Sequence, residues 1–388
     1  MFPLLPFYAE HFGASPTVVG TLISTYALCQ LIAGPILGRM SDHMGRKPLL
    51  IVSQIGTLIG FLILAAANSL WLVFLARVID GLTAGNLSLA QAYIADVTEP
   101  ENRAKSFGVI GIAFGVGFMI GPGISGYLVQ FGYAYPIMAA AFLSASSIVC
   151  TATLLPKAVP HADEGDAGPG GRRLGVLDWK SYGQHFARPE LGRLLWQFFF
   201  FALSFALFMS GFALYAQRRY TLHGHEFGPK EVGYVLLYVG FLGTILQGGL
   251  IGRLVKMFGE RKLVFAGFAF SAAGYGLLAW TRTLGQLLGA STVNAFGGVL
   301  RPSVTSLITR EAGRREQGTV LGLTQSITSV CQIVAPLIAG SLIDRQHLAV
   351  WALATGGVAL LGMLASIPAQ GTNASSRSAG KVASEQRG

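Results

Sequence analysis

Charged residues are scarce in this 388-residue sequence, where Asp, Glu, Lys and Arg together make up 12%. A soluble globular chain carries about 25% charged residues, so the composition argues against a soluble domain. Cysteine is also scarce. Cys29, Cys150 and Cys331 lie far apart inside apolar stretches, which predicts neither a disulfide framework nor a thiolate metal site. No charged segment precedes a short apolar core at the start, so no cleavable signal peptide is predicted.

Long apolar runs are what the sequence has in abundance. Hydrophobic residues make up 52% of the chain, which also holds 51 glycines and 25 phenylalanines. A membrane-spanning helix needs about 20 mostly apolar residues. Eleven complete windows of this kind occur, at 17–38, 48–67, 70–94, 106–130, 134–155, 191–216, 231–252, 263–281, 285–308, 318–342 and 348–368.

The first residues resemble the end of a further span. At 1.5 Å per residue, the segment before Glu10 covers roughly half of a 30 Å hydrocarbon core. We expect a truncated first helix in a protein of twelve spans; a genuinely short first helix is the alternative.

Lys and Arg residues predict the orientation in the membrane. The loops at 39–47, 101–105, 156–193, 253–262 and 310–315, with the tail after 368, hold 21 of the 28. The opposite segments hold 5, and Arg77 and Arg301 lie inside spans. Because Lys and Arg concentrate in cytoplasmic loops, the basic side is the cytoplasm of a multi-pass protein of the inner (plasma) membrane. Topology accounts for the net charge of +10, and no nucleic-acid partner is predicted.

The sequence repeats itself at an offset of 214 residues. Among the matches, Gly45 aligns with Gly259 and Pro122 with Pro336. Six spans separate the matched positions, which predicts two halves of equal orientation, as in one large transporter fold. The predicted division is a first bundle at 1–155, a polar cytoplasmic linker at 156–190, a second bundle at 191–368 and a disordered tail at 369–388. The linker contains His161, Asp163, Glu164 and Asp166. We expect these side chains to be solvated in a flexible segment, so no metal site is predicted.

Four motifs carry a family resemblance. The loop Gly38-Arg-Met-Ser-Asp42-His-Met-Gly45-Arg46-Lys47 resembles the loop 2–3 signature of the major facilitator superfamily, and the pair Pro3 and Pro6 resembles its helix 1 motif. The other two matches are an arginine motif of helix 4, Arg77-x-x-x-Gly81-x-x-x-Gly85, and an antiporter motif of helix 5, Gly117-x-x-x-Gly121-Pro122-x-x-Ser125-Gly126, where Ser125 replaces a usual glycine.

Residues 92–108 and 114–126 are most similar to the drug:proton antiporters with twelve spans, especially the tetracycline-efflux branch. The resemblance implies an all-α integral membrane protein with two pseudo-symmetric six-helix bundles, the first helix being truncated. It also implies that Asp42 and Arg46 help to latch the closed cytoplasmic side, docking at the start of span 11 near Gly318. The alternative is that this cluster only enforces topology.

The helix 5 motif has two readings as well. The spacing of Gly117 and Gly121 permits close helix approach and Pro122 permits a bend, and Gly126 completes the motif. The resemblance implies a role in antiport; ordinary helix packing is the alternative.

Three charged side chains lie well inside complete spans: Arg77, Asp80 and Arg301. Translocon scales put the cost of each near 2.5–3.5 kcal/mol at mid-membrane, so each is a functional candidate. Arg77 and Asp80 are three residues apart and can pair on one helix. We expect Asp80 to exchange a proton while Arg77, and Arg301 across a cavity, stabilise its charge. The alternative is a permanent structural pair. In the tetracycline branch, an acidic residue of helix 1 also matters for coupling, and that part of helix 1 is absent here.

Polar and small residues of helix 4, from Asp80 to Gln91, are predicted to face an aqueous cavity. Polar or aromatic residues on other helices are candidate cavity contacts, although each is a packing candidate too. The set is Tyr26, Gln30, Gln91, Gln197, Phe201, Tyr238, Asn294 and Gln325.

The leading functional hypothesis is proton-coupled efflux of an amphipathic drug, tetracycline first, by a monomer without a cofactor. An uptake symporter for a small metabolite and a non-transporting membrane sensor are the alternatives. The sequence contains no phosphate-binding loop and no catalytic constellation inside the spans, so no enzyme is predicted.

Overall fold

The computed structural model describes residues 3–98, 103–156, 179–222 and 224–367. The first half is built from helices, with one 3₁₀ turn at Val129–Phe131. These helices are α1 (Leu4–His11), α2 (Pro16–Met44), α3 (Arg46–Ala65), α4 (Leu70–Leu82), α5 (Asn86–Val97), α6 (Arg103–Leu128) and α7 (Ala134–Leu154).

The second half adds one small hairpin, β1 (Thr221–Leu222) with β2 (His225–Glu226), paired antiparallel. Two short irregular turns interrupt its helices, a π turn at Leu246–Leu250 and a 3₁₀ turn at Phe296–Val299. The helices are α8 (Trp179–Phe186), α9 (Pro189–Arg219), α10 (Pro229–Ile245), α11 (Ile251–Phe258), α12 (Glu260–Leu277), α13 (Leu284–Ala295), α14 (Leu300–Asp344) and α15 (Leu348–Ser366).

Eight helical segments of the described chain are long and apolar enough to cross a membrane. They correspond to eight of the eleven predicted windows. The other three windows, 106–130, 263–281 and 285–308, are also helical over most of their length. The predicted loop at 310–315 is short: two helical segments of α14 meet there at Gly313, whose φ of 69° and ψ of 166° are not helical.

The predicted polar linker at 156–190 is described only in part. Its last part forms α8, and the carbonyl of Phe186 lies so close to Gly192 that a Cβ there would be 2.2 Å away. The Phe186 ring contacts Trp196 edge to face at 5.5 Å. Residues 157–178 of the linker, and the tail from 368 onward, lie outside the described residues.

Helix contacts fall into two groups. In the first half, α2 and α3 pack on α4, and α3 packs on α7; in the second, α9 packs on α14 and α15, and α12 on α13 and α15. The indole of Trp351 on α15 is fully buried against Gly211 and donates to Leu207 O at 3.3 Å. Between the halves, α2 packs along α14 and α6 along α10.

The 214-residue offset is visible in the backbone. Gly45 joins α2 to α3 with φ of 90°, and Gly259 joins α11 to α12 with φ of 78°. Positive φ is available to glycine without a Cβ clash, so the two matched glycines make the same sharp cytoplasmic turn.

Candidate functional site

A buried ion pair lies inside the first half. Arg77 Nη1 is 3.2 Å from Asp80 Oδ2, and both side chains are 9% exposed. Asp80 is about 15 Å along α4 from its outer end, at 1.5 Å per residue. The pair therefore stands near the middle of the hydrocarbon core, where an isolated charge is costly.

Three helices enclose this pair. From α2, the Tyr26 ring lies beneath the Arg77 guanidinium, 5.8 Å from ring centroid to Cζ. From α3, the Thr57 side chain lies beside the Asp80 carboxylate. A Cβ on Gly60 of α3 would lie 3.1 Å from Asp80 Cβ. The absence of a side chain at Gly60 therefore makes room for the carboxylate.

The hydrogen-bonding capacity of Arg77 is not filled. Its Nε and Nη2 atoms are buried and have no partner in the described part of the chain. The predicted approach of Arg301 to Asp80 is absent, since the Arg301 side chain is exposed and no ion pair joins the two among the described residues. The observed site is thus an ion pair within one half, with spare donors on the arginine.

The predicted polar stripe from Asp80 to Gln91 is not continuous, which corrects the sequence interpretation. The chain leaves helical geometry at residues 83–85, between α4 and α5. Ser53 of α3 holds this break, donating to the Thr83 carbonyl and accepting from Gly85 N at 3.0 Å. Asp80 is consequently buried while Gln91, on the next helix, is exposed.

The second half contains a neutral counterpart of this site. Asn294 stands 214 residues after Asp80, and Gly274 stands 214 after Gly60. A Cβ on Gly274 would lie 2.6 Å from Asn294 Cβ, so the same helix approach occurs in both halves. Asn294 lies beside Tyr275. At this one position, Asp80 against Asn294, the two halves differ in charge more than in shape.

The cytoplasmic loop forms an ion-pair cluster within the first half. Arg46 Nη1 lies 2.5 Å from Asp42 Oδ1, and its Nε lies 2.8 Å from Asp96 Oδ2. Arg46 also donates to Ser41 Oγ. Lys47 Nζ donates to the carbonyls of the α7 end, Ala152 at 2.8 Å and Leu155 at 2.6 Å, which binds α3 to α7.

The gate role predicted for this loop stays a prediction. A Cβ on Gly38 would meet nothing within 4 Å among the described residues, and one on Gly45 would meet only Pro48. Gly318, the predicted docking point, lies within α14.

Two close helix crossings join the halves near the outer face. On α6, a Cβ at Gly126 would lie 3.0 Å from the Lys230 carbonyl, and one at Gly233 of α10 would lie 2.6 Å from the Pro122 carbonyl. On the other side, a Cβ at Gly20 of α2 would lie 2.3 Å from the Pro336 carbonyl of α14. Since Pro336 is the repeat counterpart of Pro122, the α6–α10 crossing and the α2–α14 crossing are related by the internal repeat.

Polar contacts close the same outer face. Glu10 Oε1 of α1 accepts from Arg218 Nη2 of α9 at 2.5 Å. Thr17 of α2 donates to Asp344 of α14 at 2.6 Å, and Ser24 donates to the Ile333 carbonyl at 2.6 Å. The outer ends of both halves are therefore held together by hydrogen bonds as well as by packing.

The remaining members of the antiporter motif are positioned differently. A Cβ on Gly117 or Gly121 would meet nothing within 4 Å among the described residues. The close approach expected at these two glycines is instead made by Gly126, and by Gly123 against Leu237 at 3.0 Å. The inference of antiport from this motif remains a prediction.

The candidate cavity residues do not form one surface. Gln197 is a helix contact, since it is buried and donates to Ala365 O of α15 at 3.1 Å. Tyr238 hydrogen-bonds with Thr292 at 2.7 Å, and the Phe201 ring stacks on Phe205 at 6.0 Å. Gln325 is exposed on α14.

The other candidates fall at separate places. Tyr26 belongs to the buried pair, and Gln30 is half-buried on α2. In the described residues, no group of three His, Cys, Asp or Glu could hold a metal ion.

Sequence reasoning missed Asp96, Thr57 and the Glu10–Arg218 contact. The repeat could have found Asp96, since a shift of 214 aligns Asp96 with Arg310 just as it aligns Arg46 with Glu260. Glu260 Oε2 accepts from Arg310 Nη1 at 2.9 Å. Each matched pair joins opposite charges, Arg46 with Asp96 and Glu260 with Arg310, and this recurrence in the sequence could have predicted the Asp96 contact.

A helical membrane protein with two repeated halves, a closed outer seam and a buried ion pair belongs to the class of multi-pass transporters. The family model described as Major Facilitator Superfamily matches residues 1–256 and 220–382, and the chain belongs to that family. The predicted all-α fold and the multi-pass placement in the inner (plasma) membrane are thereby confirmed.

Similar proteins support the same assignment. Tetracycline resistance protein, class C, of Escherichia coli is 28% identical over 341 residues, covering 87% of this chain and 84% of that protein. Quinolone resistance protein NorA of Staphylococcus aureus (strain COL) is 27% identical over 367 residues, covering 94% and 90%. The predicted resemblance to the tetracycline-efflux branch is confirmed.

Solved structures share the fold. The human organic anion transporter MFSD10 (TETRAN) matches with a TM-score of 0.67 and 22% identity, covering 94% of this chain and 88% of that one. The nucleoside transporter NupG matches with a TM-score of 0.71 and 12% identity, covering 94% and 96%. The fold and the relatives are those of transporters and not of enzymes.

Proposed function

We propose that this protein exports an amphipathic drug, with tetracycline as the first candidate, in exchange for protons. The likeness to tetracycline and quinolone resistance proteins supports drug export. The buried Arg77–Asp80 pair supports proton coupling, because a carboxylate at mid-membrane changes its interactions with neighbouring helices when it gains or loses a proton.

The comparison between the halves is the observation that carries the assignment to Asp80. The two halves share the helix approach at this position, yet one places a carboxylate there and the other the amide Asn294. A neutral residue therefore suits the packing. The second half also has Ser291 at the position of Arg77, so the whole buried charge pair is an addition of the first half and carries a cost in the membrane.

Coupling follows because drug binding and proton binding both act on one equilibrium, that between the inward-facing and outward-facing states. A proton on Asp80 weakens its attraction to Arg77, and the freed guanidinium, with Nε and Nη2 already unpartnered, can bind elsewhere in the cavity. Drug and proton would each stabilise a different orientation of the halves. A monomer suffices, since the proposed coupling groups all lie on one chain.

The test uses inverted membrane vesicles with a proton gradient and tetracycline. Addition of drug should release protons in the wild type, and Asp80→Asn should abolish that release while drug exchange without a gradient continues. Glu226→Gln, on the exposed hairpin, is the matched control. Undiminished drug-driven proton release in Asp80→Asn would exclude Asp80 as the carrier.

The direction of flux separates the second candidate. An uptake symporter would move drug or metabolite and protons the same way, whereas the proposed antiporter moves them in opposite directions. The likeness to the antiporter motif at Pro122 and Gly126 favours the exporter.

A further inference from the structure

One arginine of the second half is exposed deep inside a membrane span. Arg301 of α14 is about 18 Å along that helix from the cytoplasmic bend at Gly313, which places it near the middle of a core about 30 Å thick. Its side chain is exposed, and its guanidinium makes no ion pair or hydrogen bond with the residues that the structure describes. Asp80 is paired with Arg77, so the charge of Arg301 is left for another partner.

The exposed side of this part of α14 is polar. Arg301 and Pro302 are exposed, and Thr305 and Thr309, each four residues further along the same side, are half-buried. The apolar residues of the segment that are at most 1% exposed are Leu300, Val304 and Ile308. A helix that faces lipid has the reverse pattern, as on α7, where Leu143 is 67% exposed. Because charged side chains within spans face water-filled cavities and not acyl chains, this side of α14 lines an aqueous cavity.

The internal repeat identifies which cavity this is. The residues 214 positions before Arg301 and Thr305 are Leu87 and Gln91, and both are exposed on α5. Repeats related by an axis along the membrane normal place equivalent surfaces on either side of a central space, near the bilayer midplane. Arg301 therefore lines the space between the halves. Since the outer seams are closed, this space opens to the cytoplasm.

A second polar side chain lies beside Arg301. Gln247 belongs to the π turn of the α10 span, a kind of irregularity that is frequent at functional sites. Its Nε2 would lie 3.6 Å from a Cβ on Gly298, and Gly298 is one helical turn before Arg301. Gln247 is exposed, and a Cβ on the adjacent Gly248 or Gly249 would meet nothing within 4 Å among the described residues. Open space therefore adjoins both side chains.

We propose that Arg301 binds the negatively charged group of the exported compound and that the amide of Gln247 donates a further hydrogen bond to it. The transported class is then amphipathic anions and zwitterions. This inference rests on the proposed export function and narrows its substrate class. A guanidinium offers five N–H donors in a planar fork, which suits a carboxylate or a sulfonate. Inside a cavity between low-dielectric walls, such an ion pair is stronger than at an open surface.

Two probes that differ only in charge test the proposal. The anion is 8-anilinonaphthalene-1-sulfonate, and the comparison probe is N-phenyl-1-naphthylamine, which has the same rings without the sulfonate. Binding is measured at equilibrium in nanodiscs of zwitterionic lipid, without any gradient, after subtraction of the signal from empty nanodiscs.

The wild type should bind the sulfonate saturably. Arg301→Gln should weaken sulfonate binding roughly ten-fold or more, the effect of one charged hydrogen bond, and Arg301→Lys should restore part of it by restoring the charge. Gln247→Met should weaken it roughly three-fold. Binding of the neutral probe should change little in all three variants, which also shows that each is folded. Arg282→Gln, an exposed arginine at the outer end, is the matched control and should have no effect.

Unchanged sulfonate binding in Arg301→Gln would overturn the proposal. An equal loss for both probes would overturn it too, because it would indicate a structural role for Arg301, and so would an absence of saturable sulfonate binding. No proton gradient is involved, so these results are separate from the Asp80→Asn vesicle result. Drug-driven proton release together with unchanged sulfonate binding in Arg301→Gln would reject the substrate class alone, and the reverse combination would reject proton-coupled export alone.

Discussion

Arg46 Nε lies 2.8 Å from Asp96 Oδ2 at the cytoplasmic end of the first half. The residues 214 positions later, Glu260 and Arg310, make the same contact at 2.9 Å with the charges exchanged. The neighbouring Asp42 also has an oppositely charged counterpart, Lys256. The backbone of this turn therefore accommodates either arrangement of charge.

A complete charge inversion in the first half should consequently be tolerated better than a partial one. Arg46→Glu alone places three carboxylates together with Asp42 and Asp96, so we expect reduced thermal stability and transport. The triple variant Asp42→Lys, Arg46→Glu, Asp96→Arg should recover much of the stability lost by the single variant. Thermal unfolding in detergent measures this recovery.

The solvent exposure of the two carboxylates limits the expected change in stability. Asp42 and Asp96 are 34% and 30% exposed, so each pair is worth about 1 kcal/mol or less. A triple variant less stable than Arg46→Glu would contradict the equivalence of the two turns.

The outer seam makes a prediction about glycine at one helix crossing. A methyl group on Gly20 would lie 2.3 Å from the Pro336 carbonyl, whereas one on Gly34 of the same helix would meet nothing within 4 Å. Gly20→Ala should therefore force α2 and α14 apart and open the outer face. Gly34→Ala is the matched control and should leave the outer face closed.

Spin labels at the outer ends can measure that opening. Phe131 and Arg282 are both exposed, one on each half, and their separation can be followed by pulsed electron resonance after replacement of the native cysteines. An unchanged distance distribution in Gly20→Ala would show that this crossing does not hold the outer face closed.

The Glu10–Arg218 contact predicts a weaker shift of the same kind. Both side chains are largely buried, 15% and 21% exposed, and the ion pair links α1 to α9 across the halves. Glu10→Gln retains the shape and loses the charge, which should cost about 1 kcal/mol and shift the equilibrium roughly five-fold toward an open outer face. The same label pair measures it, and Glu226→Gln should show no shift.

Acid sensitivity is expected at the cytoplasmic end of the second half. Hydrogen bonds of 2.5 and 2.9 Å from Arg188 lower the pKa of Glu316 below its usual value of 4.5. Because the folded state favours the ionised carboxylate, this stabilisation is complete above the unfolded pKa and is lost as pH falls through the lowered folded pKa.

Arg188→Gln should therefore reduce the unfolding temperature at pH 7, and the difference from wild type should shrink as pH falls below about 4.5. The effect should be small because both side chains are more than a third exposed. Arg282→Gln, an exposed arginine on the outer side, is the control. A difference independent of pH would indicate that Arg188 stabilises through packing alone.

The sequence predicted the spans, the repeat and the Arg77–Asp80 pairing, because hydrophobic length, identity at a fixed offset and i,i+3 spacing can all be read from the order of residues without knowledge of tertiary contacts. It did not predict the α4–α5 break. The break involves Ser53, which occupies another helix and hydrogen-bonds with both the Thr83 carbonyl and Gly85 N.

Cavity contacts were the least predictable part of the site. Gln197 is as polar in the sequence as Gln325, yet one is buried against Ala365 and the other is exposed. Which face of a helix meets a neighbour depends on how that helix is rotated in the bundle, and the apolar periodicity of a helix buried on all sides contains little information about rotation.

The placement of Asn294 opposite Gly274 shows what packing the first half would have if Asp80 were protonated. A protonated carboxyl group and a carboxamide are almost the same size and shape, and neither carries a charge. The second half thus displays, in permanent form, the packing that Asp80 would adopt once neutralised beside Gly60. Neutralisation would then need no rearrangement of the surrounding backbone, and the whole electrostatic change would remain available to the arginine beside it.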